Sequence, residues 1–130
     1  MKPKVTEHQV QALIVDALKL ANLTVLHTSA YRQKGSSGVA KGVPDLLVAH
    51  PLISGLWIGI EIKKPGPVRW SSPEQKELYD SGKILLAQSP ETALRHVRNA
   101  CVGTTWNPVV RVKAVADIDR VLNPIDGGKK

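Results

Sequence analysis

The stretch Gly42–Lys64, GVPDLLVAHPLISGLWIGIEIKK, decides how this chain is read. It holds two short apolar runs, "PDLLVAH" and "LWIGIEIKK", separated by the turn-like "PLISG". Residues two apart in a strand share a face. Ile58, Ile60 and Ile62 therefore fall on one face of the second run, and Trp57, Gly59, Glu61 and Lys63 on the other. Asp45 opens the first run directly after Pro44, which ends any earlier regular pairing. If the two runs pair antiparallel through the turn, the start of one lies beside the end of the other, and Asp45 converges with Glu61. Charge at the edge of an apolar strand needs either a protein partner or a shared ligand.

Outward from this hairpin, helix and strand signals alternate. Thr6 followed by Gln9 is a capping-box pattern, and Val10, Leu13, Ile14, Ala17, Leu18 and Ala21 follow helical spacing. "LTVLHTS" from Leu23 reads as a strand, and "AYRQKGSSGVAKG" from Ala30 as a basic, glycine-rich loop. Ser72 and Pro73 start a second helix, with Gln75 at the capping-box position and Gly82 as its stop. "KILLAQ" is a strand, and "SPETALRHVRNAC" repeats the Ser-Pro helix start, with Ala93, Leu94, Val97, Ala100 and Cys101 on one face. "VVRVKAV" from Val109 reads as a final strand, followed by a short helix around Ile118 to Leu122 and a frayed tail over about residues 123–130. The resulting order predicts an α/β fold in one domain spanning residues 1–130, a central mixed β-sheet flanked by helices.

The composition narrows the classes of function. A chain of 130 residues with 42% hydrophobic content can bury a real core, and no segment approaches the length of a membrane span. "MKPKVTEHQ" lacks the apolar stretch of a secretory signal, and a single cysteine, Cys101, suits a reducing cytoplasm. A formal net charge of +7 favours an anionic partner, nucleic acid being the commonest. Phe is absent and only 4% of residues are aromatic, which argues against a base-stacking platform for single strands.

Two helical residues join the charged strand ends. Glu7 lies three residues before Val10 and seven before Ile14, on the apolar stripe of the first helix. Gln75 lies three and four residues before Leu78 and Tyr79, the apolar positions of the second. Each polar residue has an ordinary reading as well. Asp45 can be a turn residue, Glu61 and Lys63 an exposed strand end, Glu7 a complement to the helix dipole and Gln75 a cap. Gathered at one end of one sheet, two carboxylates repel unless a cation separates them. Carboxylate oxygens without His or Cys partners suit Mg²⁺ or Mn²⁺ better than zinc.

Pro44-Asp45, a hairpin and Glu61-Ile62-Lys63 together resemble the signature of the PD-(D/E)XK nuclease superfamily. "KGVPDLLV", "IEIKKPG" and "SSPEQKELYDSGKILL" are similar to its virus-type replication-repair nuclease (VRR-NUC) branch, over roughly Thr6 to Val97. The resemblance implies a restriction-endonuclease-like core of order αβββαβ. It implies that Asp45, Glu61 and the carbonyl of Ile62 bind Mg²⁺, with Mn²⁺ able to substitute. It implies that Glu7 completes the shell, directly or through a metal-bound water. By the same resemblance, Lys63 would orient or deprotonate the attacking water and offset charge on the transition state, and Gln75 would position water or phosphate. Lone nuclease domains of this kind, often from phages or their bacterial hosts, are similar in organisation to Holliday-junction resolvases. The implied partner is therefore branched DNA, the implied state a homodimer, the implied setting DNA repair in a bacterial or phage-infected cytoplasm.

Basic residues near the motifs are candidates for phosphate contact: Arg32, Lys34 and Lys41, beside Tyr31 in the glycine-rich loop, and Lys64 and Arg69 after the Lys63 strand. The ordinary reading of that loop is a solvated surface segment. Trp70 reads either as a wedge against DNA or as a residue buried in a dimer interface, and Arg95, His96 and Arg98 as the solvated face of the third helix. "GSSGVAKG" lacks phosphate-loop spacing, the four histidines have no ligand spacing with Cys101, and no GxSxG elbow occurs. Two alternatives stay open: a nuclease of flap, restriction-like or RNA-directed specificity, and a non-catalytic DNA-binding module on the same fold.

Overall fold

The computed structural model describes residues 5–28, 43–70, 72–104 and 107–127. Its elements run α1 (Glu7–Leu20), β1 (Thr24–His27), β2 (Leu46–Ala49), β3 (Ile58–Ile62), α2 (Pro73–Asp80), β4 (Leu85–Ala87), α3 (Pro90–Thr104) and α4 (Pro108–Gly127). The four strands form one sheet in the order β1-β2-β3-β4. The first two pairings are antiparallel and β3–β4 is parallel, so the sheet is mixed, as the order of sequence signals predicts. Parallel strands need a crossover, and α2 supplies it.

Short-range chemistry sets the helix starts. Thr6 Oγ1 accepts the Gln9 N–H at 3.1 Å while Gln9 Oε1 accepts the Thr6 N–H at 2.9 Å, the reciprocal box that starts α1. Ser72 Oγ accepts the Gln75 N–H at 3.2 Å ahead of Pro73. Ser89 Oγ accepts the Thr92 N–H at 3.2 Å ahead of Pro90. Gly82, at φ 78°, takes the left-handed turn that lets the chain leave α2 for β4.

The core lies between one sheet face and the helices. Val10, Ile14 and Leu18 of α1 pack with Leu46 and Val48 of β2, Ile58, Ile60 and Ile62 of β3, and Ala93, Leu94, Val97 and Cys101 of α3. Leu13 departs from the expected stripe and is 58% exposed, because Val15 takes a buried place and the apolar face of α1 runs through Val10, Ile14, Ala17 and Leu18. Tyr79 is also 39% exposed.

The C-terminal region corrects the expected final strand and short helix. Residues 108–127 form one helix. The run of β-branched residues from Val109 alternates with Arg111 and Lys113, which imitates a strand. Yet Asn107 Oδ1 accepts the N–H groups of Val109 (2.9 Å) and Val110 (3.3 Å) ahead of Pro108, a third polar-Pro helix start. Ala114, Ile118 and Leu122 are buried at four-residue spacing, the helical period. Helix α4 packs on α3 and reaches across the molecule: an Arg120 guanidinium nitrogen donates to Leu20 O at 3.2 Å.

A buried polar cluster fastens α4 to the sheet. His50, 2% exposed just after β2, accepts the Leu52 N–H on Nδ1 at 3.1 Å. That leaves Nε2 to donate to Asp117 Oδ2 at 2.9 Å, and Lys113 Nζ donates to Asp117 Oδ1 at 2.8 Å. Burial works against the Asp117 carboxylate, but hydrogen bonds from Lys113, His50 and Asn22 outweigh it and hold its pKa below the ordinary value. Of the third-helix face expected to be solvated, Arg95 stays exposed, while His96 and Arg98 are partly buried. His96 Nε2 meets Leu86 O at 2.8 Å, Arg98 pairs with Asp119 of α4 at 2.8 Å, and Arg95 pairs with Glu91 at 3.2 Å.

Candidate active site

The hairpin register carries the site. Leu46 pairs with Ile60 across β2–β3, so Asp45, one residue before β2, comes beside Glu61, one residue further along β3. Three contacts hold it there. The Thr28 N–H donates to Asp45 O at 3.0 Å, extending the β1–β2 ladder by one step. The buried Thr28 hydroxyl reaches Pro44 O at 2.6 Å and Asp45 O at 3.2 Å. The Ile62 N–H donates to Asp45 Oδ2 at 2.9 Å and aims the carboxylate. Gly59 makes room for this packing: a β-carbon there would stand 2.9 Å from Pro44 Cγ, closer than real contacts allow.

Glu7, Asp45 and Glu61 each place a carboxylate oxygen so that the three lie within 4.8 Å of one another. Glu7 is exposed in the first turn of α1, Asp45 is half-buried, and Glu61 is 3% exposed. Burial of Glu61, reinforced by the negative charge of Asp45 and only partly offset by Lys63, pushes its pKa up to about 7. Glu61 Oε2 is 3.3 Å from Lys63 Nζ, while Oε1 is buried and meets no hydrogen-bond donor among the described residues. A buried acceptor without a donor is costly and calls for an explanation such as an ion or water.

Lys63 is 8% exposed, and its Nζ also lies 5.8 Å from the centre of the Trp70 ring. Gln75 is buried at 4% exposure between exposed Glu74 and Lys76, so its inward orientation agrees with the helical phase. Lys64 and Arg69 are exposed and, with Glu7, Lys63 and Pro67, line an open cavity of about 490 Å³. The Gln88 amide ties down the loop between them, donating to Lys64 O and Gly66 O at 2.9 Å each. Ile62 enters the site through its N–H; a metal-binding role for its carbonyl rests on the resemblance. Tyr31, Arg32, Lys34 and Lys41 lie outside the described residues.

Thr28 is the participant that reading the sequence missed. Nothing local marks Thr28, whose partners are 16 and 17 residues away. Trp70, read as a wedge against DNA or as a residue of a dimer interface, has its described ring contacts with Lys63 and Tyr79.

The chain matches no protein-family model, no curated protein and no solved structure. Among the described residues, no helix is long and apolar enough to cross a membrane.

Proposed function

We propose that this protein is a metal-dependent nuclease of the PD-(D/E)XK type, allied to the VRR-NUC branch, hydrolysing DNA phosphodiester bonds. The single observation that carries the reading is the gathering of Glu7, Asp45 and Glu61 within 4.8 Å around a buried Glu61 oxygen that has no donor among the described residues. Three carboxylates at that separation repel, and the donor set is all hard oxygen, which fits Mg²⁺ or Mn²⁺. Asp45, Glu61 and Glu7 would hold the ion, with the Ile62 carbonyl as the further ligand the resemblance implies. When bound, such an ion supplies Lewis-acid charge neutralisation and a more acidic water.

The remaining residues match the needs of phosphate hydrolysis. Lys63 carries a positive charge beside the carboxylates, suited to offsetting charge that develops on phosphate oxygens. Gln75 offers an amide from α2 to orient water or phosphate. Lys64 and Arg69 line the cavity where flanking phosphates would be held. The order αβββα(β), with the acidic pair on adjacent ends of an antiparallel hairpin, supports the restriction-endonuclease-like core. Branched DNA as substrate, homodimerisation and a cytoplasmic role in repair follow from the resemblance.

The experiment compares cleavage of labelled four-way junction, flap, splayed and linear duplex DNA, and of RNA, by wild type and Asp45→Ala, in Mg²⁺, Mn²⁺ and EDTA. The expected result is metal-dependent, paired cutting of the junction that Asp45→Ala abolishes. Cutting of another substrate would redirect the specificity. Binding without cleavage, unchanged in Asp45→Ala, would leave a DNA-binding module in place of the enzyme.

A further inference from the structure

We infer that Trp70 is a positioning residue for Lys63: its ring holds the ammonium at the reacting phosphate without neutralising it. The inference rests on the nuclease reading for its consequence and on the described contacts for its geometry. Lys63 is a flexible four-carbon stem ending in three donors, a side chain that keeps one position only where its surroundings impose it. Glu61 Oε2 at 3.3 Å is one such constraint. It is a poor one for catalysis, because that carboxylate is also a metal ligand and its charge is committed once a cation arrives. The π-face of Trp70, 5.8 Å from Nζ, is within cation–π range and attracts the ammonium through the ring quadrupole. A neutral ring neither competes for the cation nor cancels the lysine charge, so the charge stays available to phosphate.

The ring is itself anchored from both sides of the active-site loop. Trp70 packs against Tyr79 with ring centres 4.9 Å apart and planes tilted by 34°, within the separation at which aromatic pairs attract. Tyr79 lies one turn beyond Gln75 on α2, so the aromatic pair links the loop to the helix that presents Gln75. At the loop's start, Gln88 fixes the backbone through Lys64 O and Gly66 O. Trp70 is only partly exposed, and its ring is already engaged, which disfavours its use as a free surface for stacking a base.

The test uses Trp70→Leu, which keeps apolar bulk and removes the π-face, and Trp70→Phe, which restores a ring. In single-turnover cleavage under saturating Mg²⁺, Trp70→Leu is expected to slow the reaction roughly tenfold, the scale of a partly desolvated cation–π contact. DNA affinity should stay within about twofold, and Trp70→Phe should recover most of the rate. A Trp70→Leu protein that cleaves at the wild-type rate, or that loses affinity while keeping its rate, overturns the inference. A second readout needs neither DNA nor metal: the Lys63 ε-CH₂ proton resonances, assigned with Lys63→Arg, should be shifted upfield by the indole ring current. Unshifted resonances in the folded wild type overturn the inference even if Trp70→Leu does not fold. Absence of cleavage by the wild type in every metal and substrate would instead refute the nuclease reading, and the ring-current shift would still decide the contact.

Discussion

Glu61→Gln removes a buried charge and keeps its shape, and the pH dependence of stability is where the change should be read. Burial and the Asp45 charge raise the Glu61 pKa from an ordinary 4.5 to about 7 in the folded protein. A raised carboxyl pKa means that the native state binds more protons than the unfolded chain between those values. Its contribution to stability is therefore fully present below pH 4.5 and is lost as pH rises through 7. At about 1.4 kcal/mol per pH unit, the interval corresponds to about 3 kcal/mol for a side chain this buried, or roughly 10 °C in Tm. Urea unfolding of metal-free wild type and Glu61→Gln from pH 4.5 to 8.5 checks it. The stability difference should tilt toward the variant by about 3 kcal/mol across that range, whatever constant cost follows from the loss of the Lys63 partner. Mg²⁺ should flatten the wild-type profile, because the cation stabilises the ionised form, and should leave that of Glu61→Gln almost unchanged. A difference independent of pH would refute the account of Glu61 as a carboxyl forced toward protonation.

Other perturbations test the supports of the site. Gly59→Ala drives a β-carbon into the Pro44 ring, so it should cost about 1–3 kcal/mol in denaturant unfolding and abolish the Mg²⁺-induced rise in Tm by displacing Asp45. Thr28→Val removes the hydroxyl from the Pro44 and Asp45 carbonyls; it should cost about 1 kcal/mol and weaken Mg²⁺ binding measured by calorimetry. Asp117→Ala leaves the buried His50 Nε2–H without its acceptor, for an expected loss of about 1–3 kcal/mol at pH 7. Because the Asp117 pKa is lowered on folding, its stabilisation is present above the ordinary value of 3.8 and lost as pH falls through the folded value, so the Asp117→Ala penalty should shrink in acid.

Much of the fold was legible from local patterns. The Thr6–Gln9 box, the Ser72-Pro73 and Ser89-Pro90 starts and the period-two alternation of Ile58, Ile60 and Ile62 each depend on neighbours within a few residues, and each reappears in the structure. The reading failed where two local signals disagreed. From Val109 the β-branched alternation spoke for a strand while Asn107-Pro108 spoke for a helix, and packing of Ala114, Ile118 and Leu122 decided for the helix.

The same division runs through the candidate site. The residue types and their order along the chain determined that Asp45, Glu61 and Lys63 would stand at strand ends, since a period of two leaves Glu61 and Lys63 no choice of face once the isoleucines are buried. Only the tertiary structure decided what those charges meet. Thr28 closes on Pro44 and Asp45, Gly59 admits the proline ring, Glu7 arrives from the start of α1, and Trp70 comes to lie by Lys63. These are contacts between segments far apart in the chain. Their partners are selected by which surfaces pack together, and no local spacing encodes that choice.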